Sequence, residues 1–155
     1  MIMTLLDLVN VFFAGMLAGI EFVIHYGVRK PAEQLPDHAQ LQFRKALVLK
    51  LRVLVPTFFA PAVILGTVLI FLNMATPGLM FRCVAVAALS IWVVIRVIGT
   101  VPINSATLDW QLSAPPTDWK TQVAHAERFH IAGVWAAVLA FAFFLMATAI
   151  KLALP

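Results

Sequence analysis

Two acid–imidazole pairs stand out in an otherwise apolar chain. Glu21 and His25 are four residues apart and Glu127 and His130 are three apart, so on a helix each pair shares one face. Two imidazoles and two carboxylates are a ligand set for a transition metal such as iron or copper, which makes Glu21, His25, Glu127 and His130 the candidate metal ligands. Two histidines on facing helices also suit the axial positions of haem b, with His25, His130 and Arg96 as the cofactor-binding candidates. With no cofactor at all, a carboxylate or imidazole held away from water is a general base for a bound substrate. The chain contains neither Cys-x-x-Cys nor His-Glu-x-x-His, so none of these readings is selected by a motif.

The elements that hold these residues follow from composition. Of 155 residues, 63% are hydrophobic and 12% charged, a balance outside that of soluble domains. Apolar runs at 5–28, 53–72, 79–101 and 129–154 each approach or exceed the ~20 residues a helix needs to cross a bilayer core. The polar/apolar alternation of a membrane β-barrel is missing. The expected fold is all-α: an integral membrane bundle of four transmembrane helices in one domain, 1–155, with a short cytoplasmic amphipathic helix. The first run lacks a basic leading segment and a small-residue cleavage pattern, so it reads as a retained helix. Cys83 is the single cysteine; it cannot form a disulfide within the chain and is expected to pack as a small hydrophobe.

Basic residues set the expected orientation. Arg29, Lys30, Arg44, Lys45, Lys50, Arg52, Lys120 and Arg128 lie in or beside the first and third connections, whereas Arg82 and Lys151 flank the other side. Those two connections should face the cytoplasm, which leaves both termini outside, with the plasma (inner) membrane as the location. The formal net charge of +4 then matches anionic headgroups of the bilayer and calls for no nucleic-acid partner.

Along the first helix Asp7, Asn10, Ala14, Ala18, Glu21 and His25 recur every three or four residues and form a stripe that should face protein. Gly15 and Gly19 make a GxxxG that would allow a close helix contact or a homodimer. Glu21 lies about two turns, ~12 Å, inside the helix end, where a carboxylate needs a partner. Arg96 on the third helix reaches nearly the same depth, so the two either form a buried ion pair or Arg96 snorkels to the headgroups.

Between these helices, Pro31 and Pro36 break the first connection. Asp37 is placed to cap an amphipathic helix that lies on the headgroups, with Leu41, Leu47 and Leu51 opposite Arg44, Lys45, Lys50 and Arg52. His38 should be solvated, and Pro61 should kink the second helix. Pro102 is expected to end the third helix near Val101, leaving Asn104 just beyond it. The polar belt 102–133 carries three of the seven acidic residues and two of the four histidines. Within it Trp110 and Trp119 read as interface anchors and Asp118 as a helix cap.

In order, the chain presents Gly-Ile-Glu-Phe (19–22) and then His25, Leu-Pro-x-His (35–38), LRVLVP (51–56), VPIN (101–104), PPTDW (115–119) and ERFH (127–130). This succession, over nearly the whole chain, resembles the anthrone-oxygenase-like family of small four-helix membrane proteins. The resemblance implies oxygenation of a lipophilic, polyketide-like substrate with dioxygen and without an added organic cofactor. It points to Glu21, His25, Asn104 and His130 as the catalytic positions. In that chemistry a base takes the acidic methylene proton of an anthrone, and Asn104 or Arg96 steadies the resulting oxyanion. Ala126 stands where the family pattern has Trp, and Ala132 where it has Arg. Beside an oxidoreductase, the same residues suit a haem- or metal-binding electron carrier or sensor, or a structural subunit in which Glu21 and Arg96 are only a lock.

Overall fold

The computed structural model describes residues 2–154. Four helices account for most of them: α1 (Ile2–Glu33), α2 (Asp37–Leu72), α3 (Leu79–Asp109) and α4 (Trp119–Ala153). All four are long and apolar enough to cross a membrane, and no strand occurs among the described residues. The protein is an all-α four-helix bundle.

Each helix runs on past its apolar segment. At 31 to 36 residues per helix and ~1.5 Å per residue, each exceeds the ~30 Å hydrocarbon thickness. The excess is gathered at the end of the bundle where α1 stops and α2 starts. Two expectations are corrected here. The amphipathic stretch is not a separate helix on the headgroups but the first part of α2, which is unbroken from Asp37 to Leu72 through Pro56 and Pro61. The third helix does not end at Pro102 but continues to Asp109, and the fourth begins at Trp119. Polar side chains on these extensions point inward, which gives them a reason to stay in the bundle.

Pro102 is accommodated by a change of helix type. Residues Arg96–Thr100 form a π-helical turn just before it, and Ile24–Val28 form another ahead of Pro31. The wider turn relieves the clash between the proline ring and the carbonyl four residues back. The Val101 N–H donates to the Arg96 carbonyl, and the Thr100 hydroxyl donates to the same oxygen at 3.2 Å. Gly99 in this turn is required for space: a Cβ there would lie 2.1 Å from the Phe129 ring of α4.

The helices pack in the cyclic order α1, α2, α3, α4, with the α2–α3 seam the loosest of the four. Ala14, Ala18, Ala62, Ala85, Ala136 and Ala140 fill the axis, and such small residues let membrane helices approach closely. Gly15 of the GxxxG is used inside the chain, against Phe141 of α4, while Gly19 touches nothing. Cys83, expected to be packed, is exposed on the outer face. At the 73–78 turn, Gly78 takes φ +94° with its Cα against the Ala147 carbonyl, a conformation and a closeness that favour glycine.

The stripe on α1 is buried as expected, with Asp7, Asn10, Ala14, Ala18 and Glu21 all inside. Asp7 meets partners that the sequence placed outside. Arg82 donates to its Oδ1 at 2.9 Å and Lys151 to its Oδ2 at 2.6 Å. Arg82, expected as a flanking charge, is 1% exposed. This three-helix ion cluster joins the beginning of α1 to the end of α4, so these two helix ends lie at the same end of the bundle.

Candidate functional site

The other end of the bundle holds the acid–imidazole residues. More than three turns before the end of α1, Glu21 is fully buried and paired with the Nη2 of Arg96 across the α1–α3 diagonal. The buried pair is therefore formed, and Arg96 does not snorkel. Its guanidinium also lies over Trp92, 5.4 Å from the ring centroid, a favourable cation–π distance.

Histidines from α1 and α4 close the group. The π-helical turn of α1 carries His25, whose Nδ1–H donates to Glu127 Oε1 at 2.8 Å. His130, on α4 and 6% exposed, directs Nδ1 toward Glu21 Oε2 at 3.5 Å. A carboxylate facing Nδ1 favours the tautomer protonated there, so Nε2 of His130 presents its lone pair. That Nε2 is buried and has no hydrogen-bond partner. The two imidazoles lie 5.6 Å apart, centroid to centroid. Glu127 is not a surface charge at a helix start; Arg29 Nη1 also forms an ion pair with its Oε1, at 3.0 Å.

Asn104 lies within α3, not beyond it. Its Oδ1 accepts from Arg44 at 3.0 Å, and Arg44 Nε donates to the Thr107 hydroxyl at 3.2 Å. Lys45 donates to the carbonyls of Leu108 and Trp110 and so finishes the C-terminal end of α3. Neither Arg44 nor Lys45 faces the headgroups as expected. Of the expected caps, Asp37 instead follows the capping residue Pro36 and pairs with Lys120 at 2.6 Å. Asp118 is the N-cap residue of α4 as expected, its side chain accepting from the Gln122 side chain at 3.0 Å and not from a backbone N–H. Trp119, expected as an interface anchor, is buried in the cavity wall. His38 and His125 stay exposed, away from the group.

Two cavities meet here. A smaller one of about 130 Å³, termed polar for the charged groups set in its largely apolar wall, is lined by Arg29, Arg44, Arg96, Asn104, Glu127 and His130 among apolar side chains. A mainly apolar one of about 380 Å³ lies along the α2–α3 seam, among Val55, Phe59, Trp92 and Val97. Arg96, Thr100 and Asn104 line both. Four of the six buried side-chain polar atoms that lack a partner among the described residues belong to this region: Glu21 Oε1, Trp92 Nε1, Arg96 Nε and His130 Nε2. Buried polar atoms are normally satisfied, so such a concentration marks a place for water or a ligand. A Cβ on Gly133 would lie 3.7 Å from Trp92 Nε1 and 3.8 Å from Arg96 Nε.

The metal and haem expectations separate on geometry. His25, Glu127 and His130 offer one ligand atom each within 4.8 Å of one another, a donor set suited to a small transition metal. Glu21, engaged by Arg96, is not in that group. A porphyrin does not fit: the cavity that His130 lines, about 130 Å³, is well below the ~300–1,000 Å³ of sites for larger ligands, and His25 lines neither cavity.

Ala126 is buried in the wall of the polar cavity, where a Trp would fill it, and Ala132 is exposed on the outside. The site residues missed from sequence are Arg29, Arg44, Thr107, Trp92 and Trp119. A signal for Arg44 existed: it falls on the same helical stripe as Leu41, Val48 and Leu51, on the inward face of α2.

Comparison of the chain with protein-family models, curated proteins and solved structures finds no match. Fold and site together define a four-helix membrane protein with a buried Glu/Arg/His cluster beside an apolar cavity.

Proposed function

We propose that the protein is a membrane-embedded oxidoreductase of the oxygenase type, acting on a lipophilic, aromatic polyketide-like substrate at the Glu/His site. The observation that supports it best is the unpartnered Nε2 of His130 beside the junction of a polar and an apolar cavity. A flat apolar substrate enters the α2–α3 cavity and brings an acidic methylene to His130. Nε2 takes the proton, while Glu21 faces the Nδ1–H of the same ring and balances the charge it gains. The electron pair left on carbon delocalises onto the conjugated carbonyl oxygen, which Asn104 and Arg96 stabilise. Dioxygen is the oxidant; in total R₂CH₂ and O₂ give R₂C=O and H₂O.

A second reading rests on the spacing of His25, Glu127 and His130. These three would hold iron or copper, and such a metal would supply dioxygen activation. His25 and Glu127 would then orient each other through the bond they already share.

The site faces the cytoplasm in this proposal, with both termini outside and the plasma (inner) membrane as the location. Charge supports it. Lys30, Lys50, Arg52, Lys120 and Arg128 are exposed around the site end, while Arg82 and Lys151 at the other end are tied to Asp7.

The test uses protein in mild detergent with an anthrone as substrate, following oxygen uptake and anthraquinone formation above the uncatalysed rate. Wild type should turn over, and His130→Gln should lose ~10²–10⁴-fold, the usual worth of a general base. Absence of turnover by wild type sinks the anthrone reading. Elemental analysis of wild type, His25→Ala and His130→Ala decides the second reading: stoichiometric iron or copper lost in both variants supports it, and metal-free active wild type overturns it.

A further inference from the structure

Of the three arginines that line the smaller cavity, Arg44 alone has no carboxylate in contact with it among the described residues. Arg96 is paired with Glu21, and Arg29 with Glu127 and Glu33. Arg44 has only neutral oxygens, Asn104 Oδ1 and Thr107 Oγ1. Among the described residues, no carboxylate forms an ion pair with it. A guanidinium withdrawn from water keeps its charge, and with Glu127 held by His25 and Arg29 the free N–H groups of Arg44 are open to an anion.

The position of Arg44 says where that anion sits. Arg44 lines the polar cavity, and its partner Asn104 lines both cavities. An acidic oxygen placed on Arg44 and Asn104 leaves the rest of the molecule to extend into the apolar cavity between α2 and α3. There Phe59 and Trp92 stack at 4.7 Å and offer a flat aromatic wall. Two fork nitrogens and an amide suit a carboxylate or a delocalised phenolate better than a neutral carbonyl.

We propose that Arg44, with Asn104, is the anchor for a negatively charged oxygen on a lipophilic ligand, so that the substrate class is acidic lipophiles, carboxylates or phenolates with an apolar body. This rests on the reading of the larger cavity as the substrate site. It adds a specificity determinant on α2, a helix that carries none of the acid–imidazole residues. The same anionic-oxygen chemistry could be supplied by a free acid or by a phospholipid headgroup.

Binding tests it without turnover. Isothermal titration of the full chain in mild detergent near neutral pH compares 2-naphthoate with its uncharged methyl ester. Wild type and the exposed control Lys50→Gln should bind the acid at least about tenfold more tightly than the ester, a difference of ~1.4 kcal/mol. Arg44→Gln should bring the acid down to the ester's affinity while the ester is unaffected. Equal affinities in wild type, including no binding of either probe, overturn the proposal; this comparison stands even where Arg44→Gln does not fold. Mass spectrometry of the purified protein separates the sources. A phospholipid retained by wild type and lost in Arg44→Gln assigns the anion to a headgroup, whereas its absence together with naphthoate binding assigns it to a free acid. The two proposals fail separately: acid selectivity without oxygen uptake sinks the oxygenase reading alone, and turnover of neutral anthrones without acid selectivity sinks the anchor alone.

Discussion

Glu21 and Arg96 show how a single residue pair both holds a bundle and constrains its chemistry. Removing one member leaves the other charge buried, so Glu21→Gln should destabilise the protein by ~3–5 kcal/mol, read from unfolding in mixed micelles. Glu21→Gln combined with Arg96→Met should recover much of that loss, because no lone charge remains. Gly133→Ala separates stability from function. A Cβ there meets Trp92 Nε1 and Arg96 Nε at 3.7 and 3.8 Å, ordinary contact, and alanine favours helix over glycine by ~1 kcal/mol. The melting temperature should hold or rise while ligand affinity falls, since the methyl covers two unpartnered donors. At this scale the sequence was informative where apolar surroundings made a polar residue conspicuous: Glu21, His25, Arg96 and His130 all lie at the site. Arg44 was missed because a basic residue near a helix start reads as a headgroup contact, although its stripe with Leu41 and Leu51 pointed inward.

Helix boundaries were the least legible feature of the elements. Pro102 argued for an end at Val101, but the π-helical turn at Arg96–Thr100 carries α3 on to Asp109. No hydrophobic periodicity announces such a turn, since the wider spacing only shifts the stripe by one residue. The two π-helical segments contain or adjoin His25, Arg96, Gly27 and Gly99, and the parallel sets up a paired test. Gly99→Ala drives a methyl into Phe129, next to His130, and should cost at least the ~1–3 kcal/mol of overpacking with loss of ligand binding. Gly27→Ala meets only Val23 Cγ1 at 3.7 Å and should be tolerated. Equal melting temperatures for the two variants would show that the α3–α4 approach is not tight.

For the whole molecule, four spans and their antiparallel order followed from apolar runs and short turns alone. The ion cluster of Asp7, Arg82 and Lys151 did not, because each residue sits near a helix end, where exposure to headgroups is the default expectation. Asp7→Asn should destabilise the bundle by ~3–5 kcal/mol while leaving acid-over-ester selectivity at the opposite end intact, checked by the same titration. Orientation is tested by labelling. With Cys83→Ser as background, Thr121→Cys places a thiol on the exposed start of α4, and an impermeant maleimide should reach it from the cytoplasmic side only. The rim of the larger cavity, at Pro56, Val97 and Val101, is exposed on the outer face of the α2–α3 seam. A molecule arriving there comes sideways out of the acyl chains and never crosses bulk water. Its occupancy then follows its mole fraction in the bilayer, so adding empty vesicles at constant total substrate should slow turnover by two-dimensional dilution alone.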